Sequence, residues 1–268
     1  MISVRIKAPQ LTYQRHYFAD RPHRDAAPRL VEFSCCRSLA RQPLFSRRAE
    51  HTKLIELRPR GSELIDTLPK QCRYEIRRAE RDGVACTTQV DFREYFTFHT
   101  EFCRSKDRPA PSWQFLTAHR EHLLITKAML GTGTLAMHAH LVDPEASRCR
   151  LFTSSSLFRR EKDSAARGMI GRANRYLHYW DMQQMAARGL EIYDFGGYAP
   201  DTADPSLVRL NEFKDSFGGK LAQESTYVSL PLALSRQALS LVRRATRSTV
   251  GPAGVLRGEL QPESHSGR

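Results

Sequence analysis

Three strands in the middle of the chain follow one another with no helix between them, and this restricts the fold more than any other feature. Leu123–Met129 and Thr134–Val142 are apolar runs joined by Gly131, Thr132 and Gly133, a hairpin signal, and a turn at Asp143 and Pro144 leads on to Cys149–Ser154. A doubly wound parallel sheet needs a helix between all its strands, so that architecture is excluded. On the N-terminal side, Lys53–Leu57 reads as a strand. Gly61 and Ser62 open a helical stretch in which Leu64, Ile65, Leu68, Cys72, Ile76 and Ala79 keep helical spacing, and Gly83 stops it. Val84–Val90 is a further strand, and Asp91 caps a helix carrying Phe92, Tyr95, Phe96, His99 and Phe102. Trp113–His119 is a short helix after the Pro109–Pro111 break. On the C-terminal side, Ser164–Arg188 is the longest helical stretch and ends at Gly189. Then follow a strand over Leu190–Phe195, a turn at Gly196 and Gly197, a helix over Leu207–Phe217, a turn at Gly218 and Gly219, and a strand over Lys220–Leu230. Strand–helix–strand units flanking a hairpin block predict an α/β fold, a mixed central sheet with helices on both faces.

The ends of the chain read differently. Residues 1–50 mix Pro, Arg and His without sustained periodicity and are expected to be weakly ordered, apart from a short strand near Leu30–Ser34. Residues 231–247 form an amphipathic basic helix. Leu232, Leu234, Ala238, Leu241, Val242 and Ala245 share one side of it, and Arg236, Arg243, Arg244 and Arg247 take the others. This gives three regions: a basic segment 1–50, a domain 51–230, and a basic helix and tail 231–268. The formal net charge of +13 sits mostly in the two ends, which suits nucleic acid, an anionic membrane surface or solubility alone. The chain has no apolar run of the ~18 residues that a spanning helix requires, and its first residues lack a secretory pattern. The six cysteines show neither CxxC nor a framework spacing. The expected location is therefore a reducing cytoplasm, with the basic helix offering a peripheral hold on the inner membrane.

Several motifs fail on context. Asp194-Phe195-Gly196 spells a kinase tripeptide, but the companion kinase motifs are absent and a strand end with a turn fits better. His138 and His140 share one face of a strand, yet no third ligand stands at a useful spacing, so no metal is expected. Ser154–Ser156 has no nucleophile-elbow context. The informative stretch is Gly171–Leu230. Asn174, His178 and Asp181 keep helical spacing, Tyr193–Gly197 ends a strand ahead of a loop, and Glu212, Phe213 and Lys214 lie on the next helix.

Three blocks resemble the Fem-type branch of the GNAT superfamily of N-acyltransferases. They are Cys72–Val84, Ile170–Trp180, and Tyr193–Gly197 with Phe213, Lys214 and Phe217–Gly219. The resemblance covers about residues 52–230 and implies transfer of an acyl or aminoacyl group to an amine. The acceptor it implies is an amino sugar, a peptide or a lipid-linked glycan precursor of the cell wall or a polysaccharide. The donor is a cosubstrate, acyl-CoA or aminoacyl-tRNA, with no resident cofactor. Lys214 matches the transfer-critical Lys of the family's Phe-Lys pair. Asp194 would orient Lys214 or the incoming amine, and His178 would be the base. Arg167, Gly171, Ala173 and Asn174 stand where the family's phosphate-binding turn precedes the long helix, although the Arg lies one residue too far from the Gly-x-Ala. A non-catalytic scaffold for a glycan or nucleotide-linked precursor is the alternative.

Overall fold

In a computed structural model, residues 1–8, 10–57, 64–158 and 161–249 are described, with side chains to 242 in the last helix. The strands are β1 (Ile2–Ala8), β2 (Leu11–Tyr17), β3 (Val31–Cys36), β4 (Phe45–Glu56), β5 (Ala85–Thr87), β6 (Leu123–Leu130), β7 (Gly133–Asp143), β8 (Arg148–Ser156), β9 (Ile192–Tyr198) and β10 (Lys220–Ser229). The helices are α1 (Lys70–Arg81), α2 (Phe92–Arg104), α3 (Trp113–His119), α4 (Ser164–Ala187), α5 (Pro205–Asp215) and α6 (Leu230–Thr249). All ten strands make one sheet in the order β1-β2-β3-β10-β4-β9-β8-β7-β6-β5. Only β2–β3 and β8–β9 are parallel pairs.

Helices cover both faces, as the strand pattern requires. Cys72 and Ile76 of α1, Tyr179, Met182 and Met185 of α4, and Phe213 at the end of α5 pack with Ile55, Cys149, Tyr193 and Phe195. On the opposite face Phe92, Tyr95 and Phe98 of α2 and Leu116 of α3 cover Met137 and Ala139. Neighbouring β7 residues serve the two layers in turn, Ala136 against α4 and Met137 against α2, by strand alternation. Capping side chains start α2 and α3 where expected, whereas α5 begins two residues ahead of the expected Leu207 and α1 begins only at Lys70, after a separate 3-10 turn over Leu64–Thr67. Asp91 accepts from the Arg93 and Glu94 amides, Ser112 from Phe115, and Asp204 from Ser206 ahead of α5.

The described residues of 1–50 form part of the sheet, which corrects the expectation of a weakly ordered segment. β1 buries Ile2, Val4 and Ile6 against Tyr17, Cys35 and Leu141, with Phe115 and Ala118 of α3 alongside. The polar half of each strand hid this period-two pattern. The strand expected near Leu30 is β3, buried along its whole length. The turn expected at Gly196 and Gly197 lies inside β9, which continues to Tyr198. Gly61 and Ser62 lie outside the described residues. In α6, Leu232 is fully buried while Leu234, Leu241 and Val242 are exposed. Arg236 bonds Glu32 of β3 at 2.7 Å, so this helix is tied to the sheet. The side chains of Arg243, Arg244, Ala245 and Arg247 lie outside the described residues. Among the described residues, no helix is long and apolar enough to cross a membrane.

Gly219 is the tightest backbone approach. Its φ is +78°, and a Cβ there would collide with the Leu54 carbonyl of β4. Gly219→Ala is expected to lower stability by about 3 kcal/mol, from left-handed strain plus overpacking. Gly131→Ala, whose Cβ would meet nothing within 4 Å, should cost only about 1–2 kcal/mol for its own positive φ. Urea unfolding of the two variants checks the difference.

Candidate active site

The site follows from an interruption in the sheet. β8 and β9 pair only from Arg148–Arg150 to Ile192–Asp194. Beyond that the strands part, although β8 runs on to Ser156 and β9 to Tyr198. A cavity of about 510 Å³ fills the gap, bordered by Leu151–Ser154 on one side and Phe195–Gly197 on the other. Gly196 makes the divergence possible. Its φ is +72°, it sits where the β4–β9 register shifts between Thr52 and Leu54, and a Cβ would stand 3.2 Å from the Leu151 carbonyl oxygen. Strand backbone bordering such a gap has no partner across it and can hydrogen-bond a ligand instead.

Asp194 closes the base of the gap. Its fully buried carboxylate accepts from Thr52 of β4, from Arg148 at 2.5 Å, from Arg150 at 2.7 Å and from the Gly196 amide at 2.8 Å. Arg148 also bonds Glu224 of β10 at 2.5 Å. The two guanidinium groups outweigh desolvation and hold the Asp194 carboxyl down at about 2. Asp194 is thus saturated, and its role here is to fix the strands around the gap.

Lys214 enters from α5. It is buried, and its ammonium donates to the carbonyls of Gly196, at 3.2 Å, and Gly197. Burial pushes its pKa down to about 8, with Arg150 adding to the effect and Asp194 opposing it. The ammonium therefore stands at the wall of the cavity. Arg48, Lys106 and Arg108 also border the cavity, as do two carboxylates, Glu32 and Glu50, the second bonded to Arg48 at 2.6 Å. This balance suits an anionic ligand.

His178 is not brought to this group. It projects to the α4 face, while Asp194, next along the strand from Tyr193, projects to the other. Its ring lies 4.0 Å from that of His138, and its Nδ1 bonds the Tyr193 hydroxyl at 2.8 Å. Complete burial, followed by the nearby His138 and His140, holds its pKa well below the usual imidazole range. The expected role of His178 as base beside Asp194 and Lys214 is therefore corrected: Asp194 and Lys214 flank the gap, and His178 belongs to a buried polar cluster that Asn174 also joins. In that cluster His138 bonds Asp181 at 2.6 Å and Asn174 at 3.0 Å, and His140 bonds Tyr193 at 3.0 Å. Asp181 thereby joins His138 and His140, with ligand-type atoms within 4.8 Å of one another. Sequence spacing did not reveal this approach, because Asp181 comes from a different element.

The expected phosphate cradle is also corrected. α4 starts at Ser164, so Arg167 lies exposed in its first turn, while Gly171 is two turns in and Ala173 is buried beneath α1. Only the first four amides of a helix are free to bind an anion. Here the Asp163 carboxylate accepts from the Ala166 amide at 2.7 Å, and its negative charge occupies the place a pyrophosphate would need.

No protein-family model matches the chain, and no curated protein does. Solved structures match over most of its length. FemX is 11% identical with a TM-score of 0.55, over 90% of this chain and 86% of that one. L-PGS from Bacillus licheniformis is 13% identical with a TM-score of 0.53, over 90% and 84%. At such identities the likeness establishes architecture alone: the chain shares the fold of FemX and L-PGS.

Burial sets a pH dependence of stability. His99, His119 and His140 are pushed down to about 4 by desolvation, whereas unfolded imidazoles titrate near about 6.5. The unfolded chain binds more protons between these values, so stability is fully present above pH 6.5 and falls as pH drops toward 4. The urea midpoint is expected to decline over that interval, and His119→Gln should flatten the decline. A midpoint constant from pH 7 to pH 4.5 would contradict the assignment.

Proposed function

We propose that the chain transfers an acyl or aminoacyl group from an ester or thioester donor to an amine. The single observation that carries this reading is the parted β8–β9 pair with the Lys214 ammonium at its wall. A donor carbonyl entering the gap meets strand backbone in place of a partner strand. When an amine attacks the carbonyl carbon, negative charge develops on the oxygen, and a preorganised cation in a dry site stabilises it. Asp194, saturated by Thr52, Arg148 and Arg150, keeps the gap open and the backbone aligned. The Asp163 cap opposes pyrophosphate binding at α4, and the basic rim of Arg48, Lys106 and Arg108 suits a nucleic-acid backbone. Together they favour aminoacyl-tRNA over acyl-CoA as donor. The acceptor in this reading is an amino sugar, a peptide amine or a lipid-linked glycan precursor.

Incubation of the protein with aminoacyl-tRNA or acyl-CoA carrying a radiolabelled acyl group, and with glucosamine or a lysine-containing peptide, tests the reaction. Label is expected to move into an amide, and Lys214→Met should lower kcat/KM by about 10²–10³-fold. Because the cationic form is the active one and its pKa is about 8, the rate should fall above pH 8. Label that stays on every donor would refute the transferase reading.

Leu234, Leu241 and Val242 on the exposed side of α6, in a chain of net charge +13, support a peripheral hold on an anionic membrane. Leu234→Ser combined with Leu241→Ser should abolish flotation with phosphatidylglycerol vesicles while leaving the fold intact by circular dichroism. Equal flotation of variant and wild type would remove the membrane from the reading.

A further inference from the structure

The transfer proposed above leaves one proton unaccounted for, since an attacking amine must lose one before the amide is complete. The residue expected to accept it, His178, is sealed in the core. The other imidazoles near the gap are also engaged. His99 bonds Ser155 at 2.7 Å, His119 bonds Tyr17 at 2.9 Å, and His138 and His140 belong to the Asp181 cluster.

His51 differs from all of these. It lies on β4, directly opposite Tyr198 at the last residue pair that β4 makes with β9. Residues opposite each other in a strand pair project to the same face, so His51 and Tyr198 both stand on the side covered by α5. The Tyr198 hydroxyl bonds Asp215 of α5 at 2.8 Å, which confirms that side. His51 is half-buried, and its imidazole has no hydrogen-bond partner among the described residues. It borders a second cavity of about 410 Å³, walled by Tyr198, Ala199, Leu207 and Leu210 and edged by Arg48, Glu50 and Asn211. Gly197 and Leu210 border this cavity and the first one alike. Gly197 is also the residue whose carbonyl holds Lys214. The two cavities therefore meet at the point where the transfer would occur.

We propose that this second cavity takes the acceptor amine and that His51 is the proton acceptor in the transfer. The proposal rests on the transferase reading. Its apolar walls and the Tyr198 ring suit the C–H face of a sugar, so the acceptor class is an amino sugar. In the step, the amine nitrogen forms a bond to the donor carbonyl carbon and gives its proton to the imidazole. The carbon–oxygen bond of the donor ester breaks, and the leaving oxygen takes a proton from the imidazolium. The products are an amide and a free hydroxyl, with nothing oxidised or reduced.

The experiment measures transfer from aminoacyl-tRNA to glucosamine by wild type, His51→Gln and Lys214→Met across pH 5 to 9. It also follows the histidine ring signals of isotopically labelled protein while glucosamine is added. His51→Gln is expected to lower kcat by about 10²-fold or more, leave the donor KM unchanged, remove the acidic limb of the pH profile and regain activity with added imidazole. Glucosamine should shift the His51 ring signals and not those of His178. If His51→Gln keeps kcat within about threefold and retains the acidic limb, the proton-acceptor role is overturned while the transferase reading stands. A lysine-containing peptide that shifts the His51 signals where glucosamine does not would overturn the amino-sugar assignment. If wild type acylates a lysine-containing peptide but not glucosamine, the amino-sugar assignment falls while the transferase reading stands; if it acylates neither, both readings fall together.

Discussion

The carboxylate of Asp194 holds the centre of this molecule. Burying a charge in a sheet is costly unless it is paired and fully hydrogen-bonded. Here the pairing reaches in three directions: Thr52 on β4, Arg148 and Arg150 on β8, and through Arg148 to Glu224 on β10. Removing either arginine would leave a buried carboxylate uncompensated, and removing Thr52 would take away one of its hydrogen bonds. The same constellation fixes where β8 and β9 stop pairing. The gap between them depends on an ionic knot at its base as much as on the backbone of Gly196.

Chemistry in this fold is positioned by backbone geometry, and side chains tune it. The gap offers unpaired strand atoms, a lysine lodged on two carbonyls, and a rim rich in cations. Lys214 belongs to α5 yet serves β9, so the helix and the strand end act as one unit. Gly219, pressed on Leu54, secures the return of the chain into β10 behind them. The aromatic packing of Phe213 and Phe217 against Phe195 keeps α5 seated while its lysine reaches past.

Much of this was legible in the sequence. Helical spacing with a capping residue marked α2 and α4, and two glycines around Thr132 marked the β6–β7 hairpin. Lys214 and Asp194 stood out because they follow a strand and a loop in the part of the chain where α/β folds bind ligands. The misses have physical causes. In β1 and β2 the exposed positions carry Arg, His and Gln, and these obscured an alternating core. His178 keeps the same helical spacing as Asn174, but spacing along one helix does not tell which side another element will cover. The Asp181 cluster joins a helix to a strand, a contact that only the folded chain makes. His51 carried no signal, lying two residues ahead of the strand expected from Lys53, because its meaning comes from the point where β9 ends beside it.

The short seam between β8 and β9 also bears on how the sheet holds together. Ten strands divide there into a panel of six, from β1 to β9 in sheet order, and a panel of four, from β8 to β5. Three residue pairs of backbone join the panels, so their mutual dependence rests on the arginine–carboxylate contacts below the gap, on α4 packed across the seam, and on β1 and β2 packed against Leu141 and α3. Cooperativity in such a protein is a property of its side chains. The opening that suits a ligand is also the line along which the two halves of the sheet would come apart.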